Sequence, residues 1–334
     1  MTDAGDAGKI ENDVLRGQEG WLFLIGGSNS VGELMQNPAT VLADKVDSWQ
    51  RTLRQRQERM AKLGAQYLHF WVPDKLSVYR DVLPPCFSLP TLTPTSFVLG
   101  SDPDLNSIAM NLEDSFAREK KAAPLFWKTD THWTYEGAFS AYKEFCKRVG
   151  AAPKLGLLDR PFRDRERVLD LGSKLNPLIK EIYRSRQVSY NSHIVFENEV
   201  VKFLKLLKPQ LHGEIHGGAS VEFQNESNNC DKRRIILFGD SFSGYGTASF
   251  TALLAETFSS VLFVWSPNID YDLVSKFAPD IVLSEMAERF ISRVPCDDIN
   301  INDFVFNKIA QFLNKKLISD ESGGRFFSSG RRDP

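Results

Sequence analysis

The stretch Arg234-Ile235-Ile236-Leu237-Phe238-Gly239-Asp240-Ser241-Phe242-Ser243-Gly244-Tyr245-Gly246 decides how the chain is read. Its apolar, partly β-branched run stops at Gly-Asp-Ser, and a Gly-spaced turn leads into a helical pattern over residues 248–258. A short apolar run bounded by turn residues predicts a buried strand of a parallel sheet, because such strands are covered on both faces. Ser241 then falls at the carboxyl end of that strand, where open α/β sheets collect their ligands. The turn gathers a hydroxyl and several free backbone N–H groups at a helix N-terminus. Acyl transfer needs that combination, a nucleophile with donors for the oxyanion its attack creates. The same residues also suit an ordinary β-to-α turn in which Asp240 or Ser241 caps the helix. A partner base elsewhere separates the two readings.

Outward from this strand, helices and strands alternate. Downstream come a strand at 261–265, a helix at 271–277, a strand at 280–284 and a last helix at 303–317. Upstream, Leu42, Val46, Trp49, Leu53, Met60 and Leu63 recur with a period near 3.6, predicting an amphipathic helix over 41–63 that Gly64 ends. Residues 67–72 read as the next strand, with Pro73-Asp74-Lys75 at its carboxyl end. Residues 15–25 hold a turn and a short strand, 83–103 a Pro-rich loop, and 107–119 a helix. Residues 125–134 read as a short strand ending in polar residues, after which Thr134 caps a helix with Ala138, Tyr142, Phe145 and Val149 on its apolar face. The charged segment 160–208 looks partly helical, including 200–207, and 214–231 reads as a hairpin or loop. The expectation is one α/β domain over 14–318 with an irregular insertion at 160–231, and a disordered Gly-, Ser- and Arg-rich tail at 319–334.

Composition narrows the function. Lys+Arg 41 against Asp+Glu 43 gives a net charge of −2, without the basic excess that phosphate-backbone binding requires, so nucleic acid is not the expected partner. The 24 Phe and 6 Trp serve a core first, and surface aromatics suit stacking on sugar rings. Cys86, Cys146, Cys230 and Cys296 are far apart, with no C-x-x-C pair, so neither a zinc nor a redox motif follows. No transmembrane run and no signal peptide are visible, which reads as cytoplasmic for the sequence as written.

Five histidines are candidates for the base. His132 alone has a carboxylate placed to orient it, since in an extended segment Asp130 and His132 project to one face. A carboxylate holding one ring nitrogen fixes the tautomer and leaves the other to take a serine proton. The bland alternative is a structural Asp–His hydrogen bond beside an exposed Trp133. His69 lies within an apolar strand and reads as a core residue, and His193 has no useful context. His212 and His216 are spaced like helical metal ligands, but Gly213, Gly217 and Gly218 disfavour the helix, so no metal site is expected.

Four segments together resemble the alginate O-acetyltransferase family of the AlgJ/AlgX type, whose catalytic domain is SGNH hydrolase-like. They are Arg16-Gly17-Gln18-Glu19-Gly20-Trp21-Leu22-Phe23, Val72-Pro73-Asp74-Lys75 running on to Leu83-Pro84, Lys128-Thr129-Asp130-Thr131-His132-Trp133-Thr134 with Gly137-Ala138, and Phe238-Gly239-Asp240-Ser241-Phe242-Ser243. The resemblance implies an SGNH-like parallel sheet flanked by helices in circularly permuted order, the Asp–His segment preceding the nucleophile. It implies Ser241 as nucleophile, His132 as base and Asp130 as its orienter. Ser241 and Gly244 would give oxyanion N–H groups, and no Gly-x-Asn-Asp block follows Pro279. The implied activity moves acetyl through an acetyl-serine to sugar hydroxyls of a polysaccharide or oligosaccharide, from a small-molecule donor or a membrane acetyl-carrier protein, with no cofactor. Trp133, Lys75 and Tyr245 are expected at the substrate, whereas Trp21 and Trp71 suit the core better. Family members are typically exported, which implies a periplasmic site if a leader is missing. The rivals are an SGNH-type carbohydrate acetylesterase and a non-catalytic polysaccharide-binding or assembly protein of the same fold.

Overall fold

The computed structural model describes residues 6–319 apart from 101, 247 and 248. Along them run β1 (Ile10–Glu11), β2 (Val14–Arg16), β3 (Leu22–Leu24), β4 (Gln66–Val72), β5 (Ala109–Met110) and β6 (Phe162–Val168). Then come β7 (Lys180–Arg186), β8 (Ser192–Glu197), β9 (Ser220–Asn225), β10 (Asp231–Gly239), β11 (Phe258–Trp265) and β12 (Ile281–Ala287). The central sheet has seven strands in the order β5-β4-β12-β10-β11-β9-β8. Its first five are mutually parallel, and β9 and β8 add an antiparallel margin.

The run that decided the reading sits in the middle of this sheet. Ile235 to Phe238 face Val261–Val264 on one side and Ile281–Ser284 on the other, with all four side chains inaccessible to water. A helix at Val46–Lys62 packs on β4 through Trp49, Leu53 and Met60, and a helix at Phe250–Thr257 packs on β11. The α/β architecture and the upstream position of the Asp–His segment are those expected from the sequence.

Three local expectations need correction. Residues 107–119 form two helices, Pro103–Ile108 and Glu113–Glu119, separated by β5. The interruption satisfies the free edge of β4, and the Asn111 side chain then accepts from Glu113 N–H to restart the helix. Residues 125–134 are an irregular loop with a single bridge between Phe126 and Trp133, because their backbone groups are claimed by side chains from elsewhere. The insertion at 160–231 is largely ordered. It holds the antiparallel ribbon β6–β7, a helix at Glu199–Leu204, and the two strands that widen the central sheet. Its strands carry polar residues on both faces, which erases the hydrophobic alternation that announces a strand.

The final helix, Ile301–Ser319, ends at the limit of the described residues, and the tail expected beyond it lies outside them. All four cysteines are free thiols. No helix among the described residues is long and apolar enough to cross a membrane.

Candidate active site

The sheet delivers Ser241 at a turn that only glycine can begin. At Gly239 an added Cβ would lie 2.8 Å from Glu285 Oε2 and 2.9 Å from Ser243 Oγ, so the chain passes where a side chain would collide. Asp240 N–H and the Ser243 hydroxyl both donate to Glu285 Oε2, at 3.1 and 2.6 Å. The Asp240 carboxylate accepts from Phe242 N–H, two residues on, and from Ala287 N–H, each at 2.9 Å. Asp240 thus folds the turn and ties it to β12, leaving Ser241 at its crest. Burial, and then the charge of Asp240, push the Glu285 carboxyl well above its ordinary range, so behind the turn it sits neutral.

Ser241 Oγ lies 2.8 Å from His132 Nε2, and His132 Nδ1 lies 2.7 Å from Asp130 Oδ1. The same Asp130 oxygen also accepts from His132 N–H at 2.8 Å. The Asp–His pairing is therefore a turn in which the carboxylate holds both ring and backbone, and not the strand alternation the sequence suggested. Burial alone would raise the Asp130 carboxyl, but the hydrogen bond and charge of His132 outweigh it and hold it below the usual range. Downstream, Thr134 caps the helix Tyr135–Arg148 by accepting from Gly137 N–H. Gly137 lets this helix meet the loop, since a Cβ there would stand 2.2 Å from the Leu125 carbonyl.

The loop below His132 is held by charges from three directions. Lys75 Nζ donates to the carbonyls of Trp127, Lys128 and Asp130 at 3.0, 3.1 and 2.6 Å. Glu181 accepts from Lys128 N–H, Thr129 N–H and the Thr129 hydroxyl at 2.8–3.0 Å. Asp170 accepts from Thr131 N–H at 2.8 Å and from the Thr131 hydroxyl. The expectation that Lys75 contacts substrate is thus corrected. Its side chain is only 3% exposed, and its three protons are spent on backbone that no helix or sheet satisfies. Burial draws its ammonium down to about 8, against the upward pull of Asp170, Asp130, Asp74 and Glu181.

Ser241 N–H has no acceptor among the described residues and is free to meet a developing oxyanion. Gly244 N–H is not, because it donates to the Asp240 carbonyl at 3.1 Å to close the turn. Gly244 is therefore removed from the expected oxyanion donors.

Ser241 and His132 open onto a cleft of about 560 Å³ walled by Trp127, Trp133, Phe242, Tyr183, Ser185 and Ser249, among others. Trp133 is a largely buried wall, edge-on to Phe242 at 5.2 Å. Tyr245 is corrected as a substrate contact, since it packs near Phe263 at 6.0 Å and does not line the cleft. Trp21 and Trp71 are buried in the core. Reading the sequence missed Trp127, Tyr183, Ser185, Asp170 and Glu181. The alternation Glu181, Tyr183, Ser185 was the available signal, masked by the charges of Lys180, Arg184 and Arg186 around it. Asp130, His132 and Asp170 group their ligand atoms within 4.8 Å, as a metal would require. Each of the two carboxylates is already engaged with loop donors, so the group reads as a hydrogen-bond cluster.

A parallel sheet whose central strand ends in Gly-Asp-Ser, met by an Asp-paired histidine from an upstream loop, is the arrangement of an SGNH hydrolase-like protein. Residues 14–168 match the family described as SGNH hydrolase-like domain, acetyltransferase AlgX. That match takes in the first three of the four segments that resemble the alginate O-acetyltransferase family of the AlgJ/AlgX type, and the fourth, at 238–243, lies beyond it. Comparison with curated proteins gives no match. Among solved structures, Bacillus cereus PatB1 superposes with a TM-score of 0.56 at 15% identity, covering 84% of this chain and 97% of its own. A DHHW family protein from Eubacterium siraeum gives 0.58 at 16% identity, covering 86% and 94%. The O-acetyltransferase domain of Pseudomonas putida AlgJ covers 90% of this chain and 99% of its own, at 18% identity and a TM-score of 0.49. At these identities the first two likenesses establish a shared fold.

Proposed function

We propose that this protein is a polysaccharide O-acetyltransferase that works through an acetyl-serine at Ser241. The observation that carries the reading is the unbroken line Asp130–His132–Ser241, with 2.7 and 2.8 Å links, at the floor of an aromatic cleft. His132 Nε2 takes the Ser241 proton as Oγ attacks the acetyl carbonyl, and Ser241 N–H donates to the resulting oxyanion. Asp130 stabilises the imidazolium without taking its proton. Collapse breaks the bond to the donor's leaving group, which receives that proton from His132. A sugar hydroxyl then attacks the acetyl-serine, gives its proton to His132, and departs acetylated as Ser241 recovers its own. Trp127 and Tyr183, with ring centres 5.0 Å apart, offer faces for a sugar ring beside the nucleophile.

A second reading is supported by the access of solvent, since the His132 side chain is 33% exposed. Water as acceptor in the second step gives a carbohydrate acetylesterase. Intact mass after brief incubation with p-nitrophenyl acetate tests the first step. A single acetyl adduct mapping to Ser241 is expected, absent from Ser241→Ala and His132→Ala. A folded wild type that forms no adduct and hydrolyses nothing would overturn the reading in favour of a binding protein. Partition of the acetyl group between added oligosaccharide and water then separates transferase from esterase.

A further inference from the structure

A carboxylate that takes no part in the chemistry above lies buried behind Lys75. Glu288 follows β12 directly and is 0% exposed, yet four donors converge on it. Oε2 accepts from Asp74 N–H and from the Ser77 hydroxyl, each at 2.9 Å. Oε1 accepts from Thr95 N–H at 3.1 Å and from the Thr95 hydroxyl at 2.8 Å. Both oxygens are thus filled by donors, the arrangement that suits the ionised form. Burial pushes the carboxyl up to about 7, against the pull of the Asp74 and Thr95 donors. An apolar side chain would fill this place without burying a charge. It could not bind the Asp74–Ser77 segment and Thr95 to the end of the strand.

The segment it binds is the one that carries Lys75. The helix Lys75–Val78 is a single turn, too short to hold itself. Asp74 caps its start by accepting from Leu76 N–H at 2.9 Å, and Lys120 Nζ holds its far end at the Val78 carbonyl, 2.7 Å away. The chain leaves β4 at Val72, beside Ala287 of β12, and Glu288 fixes the direction in which this turn sets off. The same strand end serves the Ser241 side of the cleft. Glu285 backs the turn of Ser241, and Ala287 N–H donates to Asp240. Residues 285–288 therefore touch both the Ser241 turn and the segment whose ammonium holds the His132 loop.

We propose that Glu288 is a positioning residue for His132: it sets the helix Lys75–Val78 so that Lys75 Nζ meets the three loop carbonyls, and it holds His132 to the strand end that holds Ser241. Glu288 touches neither the cleft nor the reacting atoms. Its influence runs through Asp74 and Ser77 to Lys75, from Lys75 to the carbonyls of Trp127, Lys128 and Asp130, and from that loop to His132. A shift of about 1 Å at a group so placed is enough to slow a proton transfer by orders of magnitude. For its catalytic consequence the inference rests on the acyl transfer proposed above. The physical link from Glu288 to the loop stands apart from it.

A double-mutant cycle on the full chain tests it, with wild type, Glu288→Gln, Lys75→Met and the double variant. The pH is set between the Glu288 and Lys75 values, where the first is a carboxylate and the second an ammonium. Glu288→Gln keeps the volume but turns an NH₂ toward one pair of donors. Acylation by p-nitrophenyl acetate should slow roughly tenfold, with half-saturation by the ester changed less than about twofold. In the Lys75→Met background the same substitution should slow acylation by less than about twofold, because the route is already cut. Amide exchange at Lys128 and Thr129 should quicken in Glu288→Gln and no further in the double variant. Acylation within about twofold of wild type in folded Glu288→Gln, or equal slowing in both backgrounds, would overturn the inference, since a merely structural loss acts without Lys75. If Glu288→Gln does not fold, Ser77→Ala removes one donor, leaves the carboxylate the other three, and is read by the same cycle. A wild type that forms no acetyl-serine removes the proposed function, and exchange then decides the link. Quickening that depends on Lys75 supports it, and unchanged exchange overturns it. Acetyl-serine formed at an unchanged rate in Glu288→Gln would leave the proposed function standing without this residue.

Discussion

The two sides of the cleft are built on opposite principles. On the His132 side, the loop from Trp127 to His132 is gripped by formal charges: an ammonium on its carbonyls and two carboxylates on its N–H groups. On the Ser241 side, the turn is stitched by Asp240 and backed by Glu285, a carboxyl whose proton affinity is raised by burial and by Asp240. The first side leaves its backbone spent, whereas the second leaves Ser241 N–H open for a ligand. A general base needs a fixed tautomer and direction, and charged partners in a poorly solvated loop provide both. An oxyanion site needs donors still unpaired when the reaction arrives.

The comparison is broken most forcefully at Asp130. Asp130→Asn keeps the shape but offers the ring nitrogen the wrong partner, and acetyl-adduct formation should slow by about 10³-fold or more. Stopped-flow release of p-nitrophenol measures it, and a rate within tenfold of wild type would mean that His132 does not need this orienter. Lys75→Met comes next, removing one cation from three carbonyls. It should cost about 3 kcal/mol in urea unfolding and slow acylation by roughly 10²-fold through misplacement of His132. The sign of its pH dependence follows from its lowered value. Between about 8 and 10.5 the unfolded chain holds a proton that the folded Lys75 has lost. Wild-type stability should therefore rise relative to Lys75→Met as pH climbs through that window.

Two glutamates sharpen the contrast. Glu181→Gln replaces one acceptor oxygen by an NH₂ facing loop donors, so about 1–3 kcal/mol should be lost in urea unfolding, with a slower acylation step. Glu285→Gln exchanges a neutral acid for a neutral amide and should change stability by less than about 1 kcal/mol. Equal losses for the two variants would show that the two sides are held alike.

Much of the sheet was legible because its inner strands are buried on both faces and stop at a turn residue, Gly239 after 235–238 and Pro73 after 67–72. That Ser241, His132 and Asp130 meet was also legible, Ser241 from the turn that ends its strand, and Asp130 with His132 from their two-residue spacing, although a turn and not strand alternation pairs them. Lys75 was visible as a residue at a strand end but not in its role, which depends on a loop some fifty positions away. The ribbon β6–β7 escaped notice for a different reason. Its pattern is written in charge pairs across strands, as between Asp164 and Arg184, and such pairs have no period within either strand. Gly244 misled because a glycine in a turn advertises freedom, while its N–H had already been used to close that turn.

Three carbonyl oxygens converging on one positive centre are also how proteins coordinate a monovalent cation. In this chain the cation arrives on a tether, carried by Lys75 from the segment just beyond β4. The tether links two events in folding. The loop from Trp127 to His132 cannot complete its coordination until the neighbourhood of β4 has docked, and undocking β4 withdraws the ion from the loop. Hydrogen exchange of the amides at Lys128, Thr129 and Thr131 should therefore report openings of the central sheet as well as of their own loop.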